Sequence, residues 1–547
     1  MKRKILCIVF AVLTSQLFGG AEISVSSYYN EVIGLKGSSL KQALHLLIKD
    51  HVMYPYFSDS TIATKDILIQ SDVDAENPDN VILFYSGRSQ NKHFRDHGDN
   101  FDYISEYGIP HEDSWNREHV WAKSHGFPNM TDTAYTDVHH LRPADRSING
   151  ARGNRDFDWG GYVLEEVPGC YYDYDSWEPL DKVKGDVARM MFYMAVRYEG
   201  DNSTYDLELM DKTGTYGAKF GKLTTLLQWH ELDPVDERER HRNNVIFSFQ
   251  KNRNPFIDHP EFVSLIWGEP SLDPVVTISE PELRFGNQKT DVRSEPMKLV
   301  VSGYNLKDEV VVSVQKPFFF SNKKDGSQIH KHRFSPKSGF LNEEFVLFFE
   351  PSEKVIYHDT LFVNSQGAET TSILLSGHGI DPLSEVLLYN SFEEGTDSWS
   401  TYSIAGNEDW YHSSYGDRYF MKMSGYRADE PCIDWLISPA LDLKDYKEII
   451  LSFETAKNHT DITPGLEVFI SEDYIDDNDP LHYTWYPLMA SLSKGYYEWE
   501  HSGYIDISDF IGDNINIAFK YTNSSTDKAT SWEIDDVEII GVKKQEK

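Results

Sequence analysis

The chain has 547 residues, more than one hydrophobic core usually organises, so about two to four domains are expected. Its 52 basic and 88 acidic side chains give a formal net charge of −36. This charge excludes a protein that binds nucleic acid or anionic membranes through an overall basic surface. Aromatic residues make up 14% of the chain, which excludes a disordered acidic tail. The sequence therefore predicts a folded, soluble, acidic protein of several domains.

The first 21 residues have the pattern of an export signal. Lys2, Arg3 and Lys4 precede an apolar run over residues 5–13, and small residues follow, with Gly19 and Ala21 at the cleavage positions. The alternative is a membrane anchor, but the run is shorter than the roughly 20 apolar residues that a spanning helix needs. We therefore predict cleavage after Ala21 and no transmembrane segment. The protein is expected in the periplasm, on the cell surface or in the medium.

Only Cys170 and Cys432 remain after this cleavage. They fall in different predicted domains, so we expect no disulfide between them. Two distant cysteines also do not make a zinc cluster.

Changes in hydrophobic periodicity and composition along the chain predict three domains. Residues 22–270 mix helical periodicity with Gly- and Asn-rich loops, which is typical of an α+β domain expected to fold alone. A connector rich in proline follows at residues 268–274. Short apolar segments between turn residues then predict an antiparallel, immunoglobulin-like β-sandwich over residues 275–380 and a jelly-roll β-sandwich over residues 383–543.

Residues with metal and acid–base chemistry lie close together in the first domain. Glu118 and His119 are adjacent, and Asn149 follows after what reads as a short strand, a turn and the start of a helix. Carboxylate and amide oxygens suit a hard cation such as Mg²⁺ or Ca²⁺ and do not suit zinc. A histidine beside such a metal can act as a general base near neutral pH.

Four arginines, at positions 142, 146, 152 and 155, occupy the same stretch with only Asp145 among them. Residues 22–270 carry 25 basic and 41 acidic groups, a net charge of −16. A local excess of guanidinium groups in such an acidic segment indicates a phosphate-binding site.

Each of these features has a simpler explanation. A Glu-His pair is usually a chance neighbour on the surface, and an arginine-rich helix start is commonly a solvated face that pairs with nearby carboxylates. In the pair His139–His140, one buried and one exposed residue is the usual arrangement. Only the combination of these features in this order predicts a function.

Three blocks of sequence carry a family resemblance. They are Asn116-Arg-Glu-His-Val-Trp121, then Asp137-Val-His-His-Leu-Arg-Pro-Ala-Asp145 with Asn149-Gly-Ala-Arg-Gly-Asn-Arg155, and finally Gln250-Lys-Asn-Arg-Asn-Pro-Phe-Ile-Asp-His-Pro260. In this order they resemble the bacterial endonuclease I family of exported, nonspecific nucleases with a ββα-metal (His-Me finger) active site. The resemblance spans roughly residues 40–267. It implies a mixed α+β nuclease domain, followed here by two all-β sandwiches.

The resemblance implies roles for individual residues. His119 matches the general base that activates a water molecule, and Glu118 and Asn149 match the ligands of one Mg²⁺, which Ca²⁺ or Mn²⁺ could replace. Hydrolysis would then leave 5′-phosphate and 3′-hydroxyl ends on DNA, and RNA stays open as a second substrate. The family also holds the phosphate with an arginine, for which Arg142, Arg152 and Arg155 are the candidates.

Two features depart from the family pattern. Ala122 stands after Trp121, where many relatives have proline, but it is not a ligand position. The family often relies on disulfides, and the scarcity of cysteine here puts any redox control in doubt.

The C-terminal region resembles jelly-roll modules of bacterial surface and secreted enzymes. The resemblance rests on Asn390-Ser-Phe-Glu-Glu-Gly395, Trp435-Leu-Ile-Ser-Pro-Ala-Leu-Asp-Leu443 and Ser531-Trp-Glu-Ile-Asp-Asp-Val-Glu-Ile539. Glu393, Asp535 and Asp536 could share a structural Ca²⁺, against the alternative of solvated acidic turns. Trp399, Trp410 and Tyr411 could stack on sugars, although aromatic stripes in β-sandwiches are usually core.

The sequence thus predicts an exported, monomeric, Mg²⁺-dependent endonuclease that acts on DNA without sequence preference, and it leaves RNA open as a second substrate. Its C-terminal module is expected to attach it to a cell surface or glycan. The alternative is a surface adhesin or carbohydrate-binding protein with a degenerate nuclease-like domain. The presence of Glu118, His119 and Asn149 together favours the enzyme.

Overall fold

The computed structural model describes residues 25–58, 60–95, 114–200, 206–321, 326–393, 395, 398–415, 418–425, 430–458, 465–475, 479–495, 497–523 and 530–544. The predicted export signal lies outside these described residues. Among the described helices, none combines the length and the hydropathy that crossing a membrane requires.

The N-terminal part of the chain combines helices with short strands. The helices are Val25–Tyr28 (α1), Gly37–Ile48 (α2), Thr64–Ser71 (α3), Arg146–Arg152 (α4), Lys184–Arg197 (α5), Leu223–Leu232 (α6), Glu237–Gln250 (α7), Pro255–Asp258 (α8) and Phe262–Trp267 (α9). The strands are Asn80–Ile82 (β1), Ser89–Asn91 (β2), Trp115–His119 (β3), Leu141–Asp145 (β4), Asp156–Phe157 (β5), Tyr162–Val163 (β6), Tyr171–Tyr172 (β7), Ser176–Glu178 (β8), Glu208–Leu209 (β9) and Lys219–Phe220 (β10).

Helix α5 is the centre of this core, because every one of its residues is buried. Trp121, Trp177 and Trp229 belong to the same buried cluster. The polar side chains of α5 are paired: the Nζ atom of Lys184 lies 2.6 Å from Glu178, and Arg189 donates to both carboxylate oxygens of Glu239 at 2.7 and 2.6 Å. Pairing offsets the cost of burying these charges.

Two side-chain caps determine where the closing helices begin. Asp236 accepts a hydrogen bond from the backbone nitrogen of Glu239 at 2.8 Å and so caps α7. Asn254 caps α8 in the same way, with Pro255 at the first helical position, where proline is well suited. Between them Lys251 has a φ of 68°, so the chain reverses through the left-handed region after α7.

The predicted site lies on a strand–strand–helix unit. Strand β3 pairs antiparallel with β4, with Glu118 opposite Arg142 and His119 opposite Leu141. Helix α4 begins at Arg146, directly after β4 ends at Asp145. This order is the one that the resemblance implies.

The middle of the chain forms two five-stranded sheets. The strands are Val275–Ile278 (β11), Glu282–Lys289 (β12), Met297–Tyr304 (β13), Val310–Ser313 (β14), Phe318–Ser321 (β15), Gln328–Ile329 (β16), Lys331–Phe334 (β17), Leu341–Phe349 (β18), Ile356–Asn364 (β19) and Thr371–Ile380 (β20). One sheet has the order β11-β13-β18-β15-β16 and the other β12-β20-β19-β14-β17. The prediction of a purely antiparallel sandwich is wrong in one detail, because β12 pairs with β20 in parallel. Parallel partners need a long connection, which the intervening strands supply here.

The C-terminal part forms one seven-stranded and one five-stranded sheet. Its strands are Ser384–Asn390 (β21), Ser400–Ala405 (β22), Tyr411–Tyr415 (β23), Arg418–Ser424 (β24), Cys432–Ile437 (β25), Tyr446–Lys457 (β26), Leu466–Ser471 (β27), Tyr486–Leu488 (β28), Glu500–His501 (β29), Ile505–Asp506 (β30), Asn516–Asn523 (β31) and Ser531–Lys543 (β32). The first sheet runs β23-β24-β32-β26-β29, with β21 on β32 and β30 on β26; the second runs β22-β25-β31-β27-β28. The predicted fold class, a mixed α+β domain followed by all-β domains, is confirmed.

The chain packs into two compact units. The first contains the described residues up to Ser279 together with Val300–Leu306 and Ser338–Asn342, and the second contains the remainder. Within the first unit the ring of Tyr304 lies 5.6 Å from that of Trp159 and belongs to the same core cluster as α5. The domain boundary near residue 270 stays a prediction, and a short piece of the middle region contributes to the N-terminal core.

Candidate active site

Helix α4 contacts strand β3 through the side chains of Asn149 and Arg152. The Nδ2 atom of Asn149 donates to the Oδ1 atom of Asn116 at 2.7 Å. Asn116 and Glu118 are two residues apart on β3 and therefore share one face of the strand. Arg152, one turn after Asn149 on α4, lies 3.5 Å from the Oε1 atom of Glu118. Asn149 and Arg152 of α4 thus both contact side chains on the face of β3 that carries Glu118.

Glu118 is a buried carboxylate with two protein partners. Its side chain is 2% exposed, and its Oε1 atom accepts a hydrogen bond from the Tyr85 hydroxyl at 2.7 Å. Burial raises the pKa of Glu118, while the Arg152 charge and the Tyr85 hydrogen bond act in the opposite direction. A nearby cation would stabilise the ionised form further.

Asn149 has its amide nitrogen occupied by Asn116, so the amide oxygen is the end that is left for a cation. Together with the Glu118 carboxylate, this gives two hard oxygen donors and no sulfur. Such a donor set fits Mg²⁺, Mn²⁺ or Ca²⁺. The residues present therefore fit the predicted metal.

His119 lies on the face of β3 opposite to that of Glu118, because successive side chains of a strand alternate between its two faces. On that face its ring contacts aromatic side chains. Its ring stacks on Tyr56 with centroids 5.7 Å apart and contacts Tyr135 edge-on at 4.5 Å. Its Nε2 atom lies 3.0 Å from the backbone oxygen of Tyr135. Since a carbonyl only accepts, Nε2 carries the proton and Nδ1 is the basic nitrogen.

Burial lowers the pKa of His119 well below the ordinary histidine value, and the charges of His140, Lys123 and Arg117 lower it further. The hydrogen bond to Tyr135 acts in the opposite direction. His119 is therefore neutral at physiological pH and able to take up a proton at Nδ1.

The three candidate arginines differ in their contacts. The Nε atom of Arg142 lies 3.0 Å from Asp72 and its Nη1 atom 3.4 Å from Asp186, all within the core. Arg155 donates to the backbone oxygens of Asp173 and Ala151 at 2.7 and 2.6 Å. Phosphate binding by either residue stays a prediction, and the contacts of Arg142 are those of a structural ion pair.

Arg152 is the one of the three that contacts the site. Its guanidinium donates to the backbone oxygens of His119 at 3.3 Å and Val120 at 2.7 Å, besides its ion pair with Glu118. These contacts hold the end of β3 against α4. Arg152 thus acts on Glu118 and on the backbone that carries His119.

The second and third sequence blocks meet in one buried hydrogen-bond network. The carboxylate of Asp137 accepts from the hydroxyls of Tyr193 and Tyr198 at 2.7 and 3.0 Å, and from the side-chain nitrogen of Gln250 at 2.9 Å. His139 and His140 are both buried, so the expectation that one of them is exposed is wrong. The Asp137–His140 segment needs these partners because it packs directly against α5 and α7. Its residues support the site structurally.

Sequence reasoning missed the partners that position the site residues. Tyr85 and Tyr56 lie outside the three blocks, and no local pattern distinguishes them from other buried aromatics. Asn116 does lie in the first block, next to the Glu-His pair, and its spacing of two from Glu118 was a usable signal.

A group of carboxylates among the described residues of this unit also has the geometry of a cation site. Glu199, Asp206 and Glu208 bring one oxygen each to within 4.8 Å of one another. Lys41 forms ion pairs with Glu199 and Glu208. The lysine already supplies the positive charge, so we assign no metal there.

The acidic residues predicted to share Ca²⁺ in the C-terminal part have protein partners. Asp535 forms an ion pair with Arg418, which also lies 3.5 Å from Asp536. Glu393 accepts a hydrogen bond from the backbone nitrogen of Tyr419 at 3.3 Å. Calcium binding by these residues stays a prediction.

The tryptophans considered as sugar platforms, Trp399 and Trp410, are buried in the C-terminal core cluster, whereas Tyr411 is exposed. The expectation that such aromatics are core therefore holds for both tryptophans.

Comparison with known proteins identifies the N-terminal part. The Endonuclease I family model matches residues 36–261. The extracellular ribonuclease of Bacillus subtilis (strain 168) is 52% identical over 243 residues, which cover 44% of this chain and 78% of that protein. The extracellular ribonuclease of Bacillus amyloliquefaciens is 50% identical over 245 residues, with the same coverage. An Endonuclease-1 of Buchnera aphidicola (subsp. Acyrthosiphon pisum, strain APS) is 27% identical over 160 residues, covering 28% of this chain and 58% of that one. The chain belongs to the endonuclease I family and is a nuclease.

Proposed function

We propose that this protein is an exported, Mg²⁺-dependent endonuclease that hydrolyses DNA and RNA without sequence preference. The observation that carries the proposal is the convergence of Asn149 and Arg152 of α4 on the face of β3 that bears Glu118. The name of two relatives, extracellular ribonuclease, supports export and RNA as a substrate.

In the proposed reaction His119 is the general base. Its Nδ1 atom takes a proton from a water molecule, whose oxygen attacks the phosphorus of the scissile phosphodiester. The bond from phosphorus to the 3′ oxygen breaks, and that oxygen leaves with a proton from solvent. The products are a 5′-phosphate and a 3′-hydroxyl end. The Tyr135 carbonyl keeps the ring in the tautomer that this step requires.

Glu118 and the amide oxygen of Asn149 would hold the metal ion. When bound, the ion supplies positive charge to a nonbridging phosphate oxygen and to the leaving oxygen. Tyr85 and Arg152 keep the Glu118 carboxylate in place, and Asn116 does the same for Asn149. The scissile phosphate would meet both groups at the end of β3, where the chain turns after His119.

The direct test is to incubate plasmid DNA and, separately, a long single-stranded RNA with purified protein in Mg²⁺ or in EDTA. We expect cleavage of both substrates in Mg²⁺ and of neither in EDTA. Absence of cleavage with every divalent ion would favour the alternative, an adhesin or carbohydrate-binding protein with a degenerate nuclease domain. Cleavage in EDTA would contradict the metal dependence.

The roles are separated by two variants. His119→Ala should lower turnover by ~10²–10⁴-fold, the usual contribution of a general base, and leave Mg²⁺ affinity intact. Asn149→Ala should weaken Mg²⁺ affinity and regain activity at high Mg²⁺. The reverse pattern, with metal affinity lost in His119→Ala and kept in Asn149→Ala, would reverse the assignment.

A further inference from the structure

An exposed aromatic surface lies on the C-terminal β-sandwich, within the second compact unit. Strand β23 is the edge of the seven-stranded sheet and pairs with β24. Two of its side chains, Tyr411 and Tyr415, are 46% and 76% exposed. Large exposed aromatics in a cluster are unusual on a surface that has no partner.

The strand register places these rings on the outer face of the sheet. Tyr411 lies opposite Lys422, and Tyr415 lies opposite Arg418. Directly opposed residues of an antiparallel pair share one face. On β24, Met421 precedes Lys422 and Met423 follows it, and both belong to the buried core cluster, so they lie on the opposite face of the strand. The tyrosines and the two cations therefore stand together on the outside.

A loop adds two more rings to this face. The guanidinium carbon of Arg418 lies 3.6 Å from the ring centre of Trp499, and the Lys422 nitrogen lies 5.3 Å from that of Tyr497. Tyr497 is 47% exposed and has a φ of 61°. A bulky residue rarely adopts this left-handed conformation without a structural or functional reason.

The cations of this face are already neutralised. Lys422 donates to Glu533 at 2.8 Å. Arg418 donates to Asp535 and, at 2.8 Å, to Glu454. Residues 271–547 also carry 24 basic and 47 acidic groups, a net charge of −23. An anionic polymer would therefore be repelled, and the face offers ring surfaces beside immobilised polar groups.

We propose that the outer face formed by Tyr411, Tyr415, Tyr497 and Trp499 binds a neutral oligosaccharide. Aromatic rings with a polar edge suit a ligand that is apolar on its ring faces and rich in hydroxyls at its rim. The paired carboxylates and cations supply hydrogen-bond acceptors and donors without attracting charge. From Tyr411 to Tyr415 the strand spans about 13 Å, at roughly 3.3 Å per residue, which exceeds one sugar ring and favours a chain of several.

The test uses the full-length protein in affinity gel electrophoresis with soluble neutral polysaccharides: a β-glucan, a galactomannan and a soluble starch. Polygalacturonate serves as the anionic probe. We expect at least one neutral polymer to slow migration and polygalacturonate to have no effect. Migration unchanged by all three neutral polymers, or slowed by polygalacturonate alone, would overturn the proposal, and the first result would favour a protein partner for this face.

Variants locate the binding. Replacing both Tyr411 and Tyr497 by alanine should weaken binding by about tenfold or more, because the double variant removes two of the exposed rings on which a sugar would pack. Tyr486→Ala is the matched control, since this ring is 44% exposed on the other sheet. Tyr415→Ser offers a second variant that removes an exposed ring without disturbing packing.

Nuclease turnover should be unchanged in all these variants, because the catalytic candidates lie in the first compact unit. Undiminished binding in both the double variant and Tyr415→Ser, or equal loss in Tyr486→Ala, would show that sugars bind elsewhere.

Discussion

The side-chain amide of Asn149 donates to the Oδ1 atom of Asn116 over 2.7 Å, joining the helix of the proposed nuclease site to its first strand. This bond occupies the nitrogen end of the Asn149 amide and leaves the oxygen end for the metal. Because one partner lies on α4 and the other on β3, 33 positions earlier in the chain, the bond also helps to set how the helix lies against the strand.

Replacing Asn116 by alanine should weaken Mg²⁺ binding while leaving the catalytic groups intact. The loss of one hydrogen bond costs about 1 kcal/mol, so the Mg²⁺ concentration for half-maximal activity should rise about fivefold. Turnover at saturating Mg²⁺ should change less. The control is Asn80→Ala, which removes an exposed bond to Ser89 far along the chain from the site. An unchanged Mg²⁺ requirement in Asn116→Ala would show that Asn149 needs no orientation.

Tyr56 should position the general base. Its ring stacks on the His119 imidazole, and the guanidinium carbon of Arg117 lies 3.4 Å from the ring centre. Tyr56→Ala should lower turnover roughly tenfold, on the scale of one aromatic contact of 0.5–1.5 kcal/mol, with little effect on Mg²⁺ dependence. Tyr56→Phe should restore it. Tyr54→Ala, which removes a ring packed on Phe249, is the control in the same segment. Equal losses in Tyr54→Ala and Tyr56→Ala would indicate a general effect on folding.

Arg142 and Arg155 should respond differently to substitution by glutamine. Removing one partner of a buried ion pair typically costs about 3–5 kcal/mol, so Arg142→Gln should lower the thermal stability of the N-terminal unit markedly. Arg155→Gln should reduce stability less, because its side chain is only half-buried. Each substitution should also be combined with His119→Ala, so that the nucleic acid is bound but hardly cleaved. The affinity of these double variants for nucleic acid then shows whether Arg142 or Arg155 holds a phosphate. Unchanged stability in Arg142→Gln together with weaker binding would make it the phosphate residue.

The buried carboxyl of Asp434 should make the C-terminal unit less stable as pH rises. Burial raises its pKa to about 7, with the charges of Asp409 and Glu408 acting in the same direction. Between about pH 4, the pKa of this carboxyl in the unfolded chain, and about pH 7, the folded state binds more protons than the unfolded state. The free energy of unfolding therefore falls as the pH rises through this range and stays low above it. Asp434→Asn should raise the melting temperature of this unit at pH 8 and have little effect at pH 4.

Calorimetry of the full-length protein checks this prediction, with the exposed Asp445→Asn as the control. One pKa unit corresponds to about 1.4 kcal/mol, so the gain at pH 8 should amount to a few kcal/mol at most. A gain of the same size at both pH values would show that titration of Asp434 is not its cause.

A fragment of residues 22–270 should be folded and active but less stable than the N-terminal unit in the whole protein. It contains the complete site, yet it lacks Tyr304, which packs on Trp159 in the core. Tyr304→Ala in the full chain should reproduce the loss, on the order of 3 kcal/mol for a buried aromatic. A fragment that melts at the temperature of the intact unit would show that residues beyond 270 contribute nothing to this core.

The sequence by itself determined which residues are candidates for the reaction and the order of the elements that carry them. Glu118, His119 and Asn149 are recognisable because they lie in short contiguous blocks whose residues and order resemble those of a known family, and such blocks are local properties of the chain. The change from mixed periodicity to short strands near residue 270 is local for the same reason.

Only the tertiary structure decided what surrounds those groups. Tyr85 reaches Glu118 from 33 residues away, and Gln250 reaches Asp137 from 113 residues away. Such partners are selected by packing around α5, and nothing in their own neighbourhood distinguishes them from other buried side chains. The same applies to the arginines, because only the fold shows that Arg142 pairs with Asp72 and Asp186 and that Arg152 pairs with Glu118. Long-range packing decides these partners because the free-energy cost of burying a charge depends on the group that the charge contacts in the folded protein.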